Sequence, residues 1–258
     1  MTTTLKIGIF IISVPDDLLI KNNDLPNYEF DIKALQDRFA FSKNSLKEIY
    51  LDGHNTSFSL NYHFLACDQN NFNPDKWEDE CMDCKESYFT GIYEKTYRAF
   101  QHYKNYDFYI RTNLSTYVSH IKLYQKLKDL DTEKPILTGT KWVNKHFKQK
   151  WGEDFVYASG NSIIMNKLAR DFFVQEGAAC IGLRQADDAL ITKIFYDAGN
   201  PFYFHKGLSN SHYCWDWDQS LNFNLDNIIK KKSIFVKLKE NQDPTKFKYT
   251  LNILRKLK

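Results

Sequence analysis

Two short segments hold side chains whose types and positions suit chemistry. Asp187-Asp188 is a pair of adjacent carboxylates opening a stretch, through Tyr196, that reads as a helix. Carboxylates there suit the positive end of the helix dipole. They serve either as a plain N-terminal cap or, beside a sheet edge, as a general base. Asp188 is the first choice for a base and Asp187 the second. Arg111-Thr112-Asn113 ends the apolar run Phe108-Tyr109-Ile110. A guanidinium binds phosphate bidentately, and it equally makes a structural ion pair, here with Asp107 or another acid. Ser159-Gly160-Asn161 forms a turn whose backbone can approach a ligand closely, or a plain β-turn. His205 follows a strand-like segment, and a lone histidine there is most simply structural.

The elements that position these groups follow from periodicity. Leu5 to Val14, Ser57 to Cys67, Asp107 to Arg111, Pro135 to Gly139, Phe155 to Gly160, Ile163 to Met165, Pro201 to His205 and Ser233 to Lys239 read as strands or strand-like turns. Helical spacing marks Asp31 to Tyr50, with a break near Ser42 to Ser45, and Tyr88 to Tyr103. Ser115 or Thr116 reads as the cap of a helix through Leu127. Asn166 or Asn161 precedes one through Phe173, and Pro244 to Leu257 closes the chain. Ser209 to Asn224 reads as a loop. Alternation of strands and helices predicts one α/β domain over residues 1–258. Its central sheet is mostly parallel, mixed toward the C-terminus, with helices on both faces. Ligands of open α/β sheets bind at the carboxyl ends of the strands. Arg111, Thr112 and Asn113 stand at such an end.

Composition narrows the function classes. The 258 residues carry 35 basic and 32 acidic side chains, a net charge of +3. That is too balanced for a nucleic-acid-binding surface. The apolar run near the N-terminus is about eight residues, too short to span a bilayer, and no signal peptide is expected. Five cysteines, an odd number, predict reduced thiols and a cytoplasmic protein. A zinc site from Cys81-Met-Asp-Cys84 with Cys67 and His63 is a minor alternative.

The order of the motifs resembles the GT-A fold of nucleotide-sugar-dependent glycosyltransferases, in particular the Fringe and β-1,3-galactosyltransferase-like group. The segment Ser87 to Thr96 is similar to the one that precedes that family's Asp-x-Asp strand. Tyr157-Ala-Ser-Gly160 is similar to its Ser-Gly-Gly turn, and Asp187-Asp188 to its acidic pair. The likeness covers roughly residues 87–205, near half the chain. The departure is at the signature, where Arg111-Thr112-Asn113 stands in place of Asp-x-Asp.

The resemblance implies a glycosyltransferase, hexosyl or pentosyl. It would move a sugar from a nucleoside-diphosphate donor to a hydroxyl of a glycan or related acceptor, with inversion, and Asp188 as base. Ser13, Lys95, Arg111, Thr112, Asn113, Ser159, Gly160, Lys237 and Lys239 are the implied donor contacts. Trp215, Asp216 and Trp217 are the acceptor contacts, since aromatic faces beside carboxylates suit sugars. The family's divalent cation, Mn2+ or Mg2+, loses its paired carboxylates here, leaving Asn113 and His205 as ligands. Either the metal is held through fewer acids, or cations such as Arg111 neutralise the diphosphate. Loss of the signature also supports a rival reading, a non-catalytic nucleotide- or carbohydrate-binding module on the same fold.

Overall fold

In β1 (Leu5–Ile12) successive side chains point to opposite sides, and both sides are apolar. Ile7, Ile9 and Ile11 join one buried cluster, Phe10 and Ile12 another. A strand apolar on both faces belongs in the middle of a covered sheet, and that is where β1 lies. The computed structural model describes residues 4–13, 32–51, 58–67, 80–84, 87, 90–144, 155–199, 212–238 and 243–257.

The main sheet also contains β2 (Phe58–Cys67), β3 (Glu80–Met82), β4 (Phe108–Asn113), β6 (Leu137–Thr138) and β9 (Ile163–Asn166), in the order β3-β2-β1-β4-β9-β6. The pairings β3–β2, β2–β1 and β1–β4 are parallel. Those of β9 with β4 and β6 are antiparallel. The expected α/β architecture, mostly parallel and mixed toward the C-terminal half, is therefore what is observed. Helices α2 (Thr90–His102), α4 (Lys167–Glu176) and α5 (Asp187–Asp197) cover the Phe10 face. The Ile9 face packs on α1 (Ile32–Leu51), α3 (His120–Leu127), α6 (Leu221–Lys230), α7 (Pro244–Lys256) and a second sheet. That sheet has the order β10-β11-β5, from β10 (His212–Trp215), β11 (Phe235–Leu238) and β5 (Thr116–Val118). β7 (Lys141–Asn144) and β8 (Phe155–Ala158) form a separate antiparallel pair.

Several sequence expectations are corrected. Thr116 does not cap a helix. Thr116-Tyr117-Val118 pairs antiparallel with β11, as its β-branched and aromatic residues favour, and α3 starts only after Ser119. Helix α1 runs unbroken through Ser42 to Ser45, because Ser42, Lys43 and Ser45 are buried on its packed side. The region from Ser209 is not all loop: β10 pairs parallel with β11, and Ser220 caps α6 by accepting from Phe223 N at 3.2 Å. The strand expected at residues 201–205 lies outside the described residues.

The free-thiol expectation fails as well. Cys67 ends β2, and its partner strand β3 leads straight to Cys84; the two are joined in a disulfide with a Cα–Cα distance of 5.0 Å. The C-x-x-C spacing suggested at most a zinc site shared by Cys81, Cys84, Cys67 and His63, but strand pairing joins Cys67 to Cys84. This also dismantles the zinc alternative, and His63 is occupied elsewhere, at 2.6 Å from the Tyr106 hydroxyl. Both bridged cysteines are buried, and the bridge spans 17 positions of sequence. The double variant Cys67→Ser, Cys84→Ser is expected to lose about 3 kcal/mol in urea unfolding, from the loop entropy regained by the denatured chain. An unchanged midpoint would contradict a stabilising bridge.

Candidate functional site

The site is assembled over the carboxyl end of β4 by a turn and a helix start. Arg111 pairs in register with Phe10 of β1 and Ile163 of β9, while Asn113 pairs with Ile12. The chain leaving β8 turns through Ser159 to Ser162 before entering β9, with Ser162 N donating to Ser159 O at 2.9 Å. This register holds the turn directly above the last residues of β4. A buried hydroxyl pair anchors it: Ser162 Oγ lies 2.7 Å from Thr140 Oγ1 and accepts from Thr140 N at 2.9 Å.

Gly160 joins the other parts. Its N–H donates to Asp188 Oδ2 at 2.9 Å, and its carbonyl accepts from Arg111 Nη1. A Cβ here would sit 2.2 Å from Arg111 Nη1. A side chain at this position would therefore have to displace the Arg111 guanidinium. Arg111 is 2% exposed, and its Nη2 makes an ion pair with Asp187 Oδ2 at 2.6 Å. The alternative of a structural ion pair is therefore realised, with Asp187 and not with Asp107, whose Oδ2 accepts from Lys6 N.

Asp187 and Asp188 form the first turn of α5, whose buried face runs from Ala189 to Phe195. Asp188 Oδ1 accepts from Ala189 N at 2.9 Å. Thr192 secures this helix end, donating to Asp188 O at 3.0 Å and accepting from Ala158 N at 3.2 Å. Burial raises the Asp188 carboxyl from its ordinary 3.8 to about 6, and the neighbouring Asp187 adds to the rise. The Gly160 N–H, Arg111 and the Ala189 N–H pull the other way without cancelling it. A carboxylate oxygen has two lone pairs, so each Asp188 oxygen retains capacity beyond its single backbone bond.

Thr112 and Asn113 both address Asn161. Thr112 Oγ1 donates to Asn161 O at 2.8 Å, and Asn113 Nδ2 donates to Asn161 Oδ1 at 2.9 Å. Thr116 Oγ1 joins at 3.4 Å, and Asn161 Nδ2 donates to Ser159 Oγ at 3.2 Å. Sequence reasoning places Asn161 only in the backbone turn, without a side-chain role, and gives Thr192 no site position. Lys237 is half-buried on β11 opposite Thr116. Opposed residues of an antiparallel pair share a face, so its ammonium leaves the sheet on the side where Thr116 reaches Asn161. No ion pair involves it among the described residues.

Other candidates have different surroundings. Lys95 is fully buried in α2 and donates to Ser13 O at 2.7 Å, tying that helix to the end of β1. Trp215 is 1% exposed within the core cluster that includes Val236 and Phe247, so its ring faces are covered and it offers no sugar platform. Trp217 is half-buried, 5.9 Å from the Tyr249 ring and below Lys246, and Asp216 O accepts from Asn224. Lys239 and His205 lie outside the described residues. β4 itself contributes no carboxylate for a divalent cation: its end presents a guanidinium, a hydroxyl and an amide. No group of three acidic, histidine or cysteine side chains converges among the described residues.

No family model matches the chain, and no curated protein does. Among solved structures it is similar to the galactosyltransferase LgtC in complex with donor and acceptor sugar analogues. Identity there is 11%, coverage 96% of each chain and the TM-score 0.47. It is also similar to the glycosyltransferase GlyE of Streptococcus pneumoniae TIGR4, at 11% identity over 98% of this chain and 63% of that one, with a TM-score of 0.42. A glycosyltransferase involved in glycosylation of the major capsid of PBCV-1 gives 10% identity, coverage of 95% and 98%, and a TM-score of 0.41.

Proposed function

We propose that this protein transfers a glycosyl group from a nucleoside-diphosphate sugar to a hydroxyl of a glycan or related acceptor, with inversion. The motif order resembling GT-A enzymes supports this. The observation that carries it is Asp188, a carboxylate raised to about 6 and tethered above the carboxyl end of β4. Asp187 is engaged in the ion pair with Arg111. Asp188 keeps its basicity, which suits a proton acceptor working near neutral pH. It takes the proton of the acceptor hydroxyl as the new bond to the anomeric carbon forms. The bond from that carbon to the diphosphate oxygen breaks on the opposite side, and the nucleoside diphosphate leaves with the electron pair.

Charge on the leaving diphosphate needs a cation, and stabilising it is commonly the largest catalytic term. Arg111 is spent inside the protein on Asp187 and Gly160. Lys237, opposite Thr116 on β11, is the cation assigned here to the diphosphate. Arg111, Lys95 and Ser13 then act as positioning groups. With no Asp-x-Asp contributed by β4 itself, turnover is expected to survive chelation. Nucleoside-diphosphate release from a panel of nucleotide sugars, with and without chelator, tests this; complete loss on chelation would contradict it. The burial of Arg111 in an internal ion pair also fits the rival, a non-catalytic binding module. Nucleotide binding without release from any donor would favour that rival.

A further inference from the structure

Trp142 is 56% exposed on β7, the strand that leads away from the site turn. It pairs with Tyr157 of β8, and the pairing continues inward, with Ser159 N donating to Thr140 O at 2.8 Å. Opposed residues share a face of an antiparallel pair, as do residues two apart along a strand. Trp142, Tyr157, Thr140 and Ser159 therefore lie on one face, which ends at the Gly160 N–H held by Asp188. Tyr157 is buried, whereas Trp142 extends beyond it into solvent. Two strand positions separate Thr140 from Trp142, about 7 Å, comparable with the length of one sugar residue. Among the described residues the indole is the large exposed aromatic placed this way, since Trp215 is enclosed in the core.

We propose that Trp142 is an acceptor platform. One apolar sugar face stacks on its indole, while the adjoining residue of the glycan presents its hydroxyl to Asp188. Aromatic side chains supply apolar area and polar groups fix orientation in such sites. The inference rests on the glycosyl-transfer reading for Asp188, but its test does not need turnover.

Full-length protein labelled with fluorotryptophan gives one fluorine NMR resonance that is missing from Trp142→Phe. Lactose, cellotriose, maltotriose and chitotriose are titrated separately, without donor. The Trp142 resonance is expected to shift with at least one of them. Trp142→Ala should then weaken that sugar's affinity about tenfold with an unchanged thermal midpoint. A resonance unmoved by all these sugars, or equal affinity in Trp142→Ala, overturns the platform. So does sugar-free broadening that grows with protein concentration, which would mean that a second copy covers the indole. Sugar binding at Trp142 in a protein that turns over no nucleotide sugar supports the platform and sinks the glycosyl-transfer reading alone.

Discussion

Asp188→Asn is expected to lower turnover by about 10²–10⁴-fold, the usual contribution of a positioned general base, while donor affinity stays close to wild type. The amide is nearly isosteric with the carboxylate and can still accept from one backbone N–H. It cannot accept from both Gly160 N and Ala189 N as the carboxylate does. One N–H loses its partner, at a cost of about 1–3 kcal/mol, which a stable helix start can absorb. The pH dependence follows from the raised carboxyl. Protonated Asp188 accepts no proton, so wild-type activity should rise as pH increases through about 6. The stability linkage has the opposite sign. The folded protein holds this proton more tightly than the unfolded chain, so the contribution is full below 3.8 and is lost as pH rises through about 6. A pH–rate profile without that acid limb would reject Asp188 as the base.

Arg111→Ala is expected to give the largest loss of stability, about 3–5 kcal/mol, as when one partner of a buried ion pair is removed. Arg111 is 2% exposed and the Asp187 side chain 13%, so the stranded carboxylate has little access to water. The Gly160 carbonyl loses its donor in the same step. Arg111→Lys should recover part of the loss, since an ammonium keeps the charge without the guanidinium's planar fork. A second readout separates position from bulk stability. Arg111 holds the Asp188 carboxyl down, so its removal should move the acid limb of the rate profile upward. Lys237→Gln should do the reverse of Arg111→Ala, weakening nucleotide binding while sparing the unfolding midpoint. Full stability in Arg111→Ala together with weakened nucleotide binding would return Arg111 to the diphosphate.

The sheet was legible in the sequence because β1 is a continuous apolar run, β4 is an apolar run with a polar end, β2 alternates loosely, and strand period separates them from the helices. The Asp187-Asp188 helix start was legible for a similar local reason. What stayed hidden depends on pairing between distant segments. Arg111 could be recognised as a phosphate ligand or an ion-pair partner, but only the antiparallel register of β4 and β9 sets the turn, and α5 beyond it, over its guanidinium. Cys67 meets Cys84 because β2 and β3 are neighbours, a fact that spacing does not record. Trp215 looked like a loop aromatic because nothing local reveals that β10 pairs with β11 and turns the ring into the core.

The central claim is that Asp188 removes a proton from an acceptor hydroxyl while a nucleoside diphosphate departs. It is tested most directly by nucleoside-diphosphate release from a nucleotide-sugar panel, wild type beside Asp188→Asn, with donor binding measured on both proteins. Release by wild type, near-complete loss in Asp188→Asn and matching donor affinities are the expected outcome. Release by Asp188→Asn at the wild-type rate would contradict the claim.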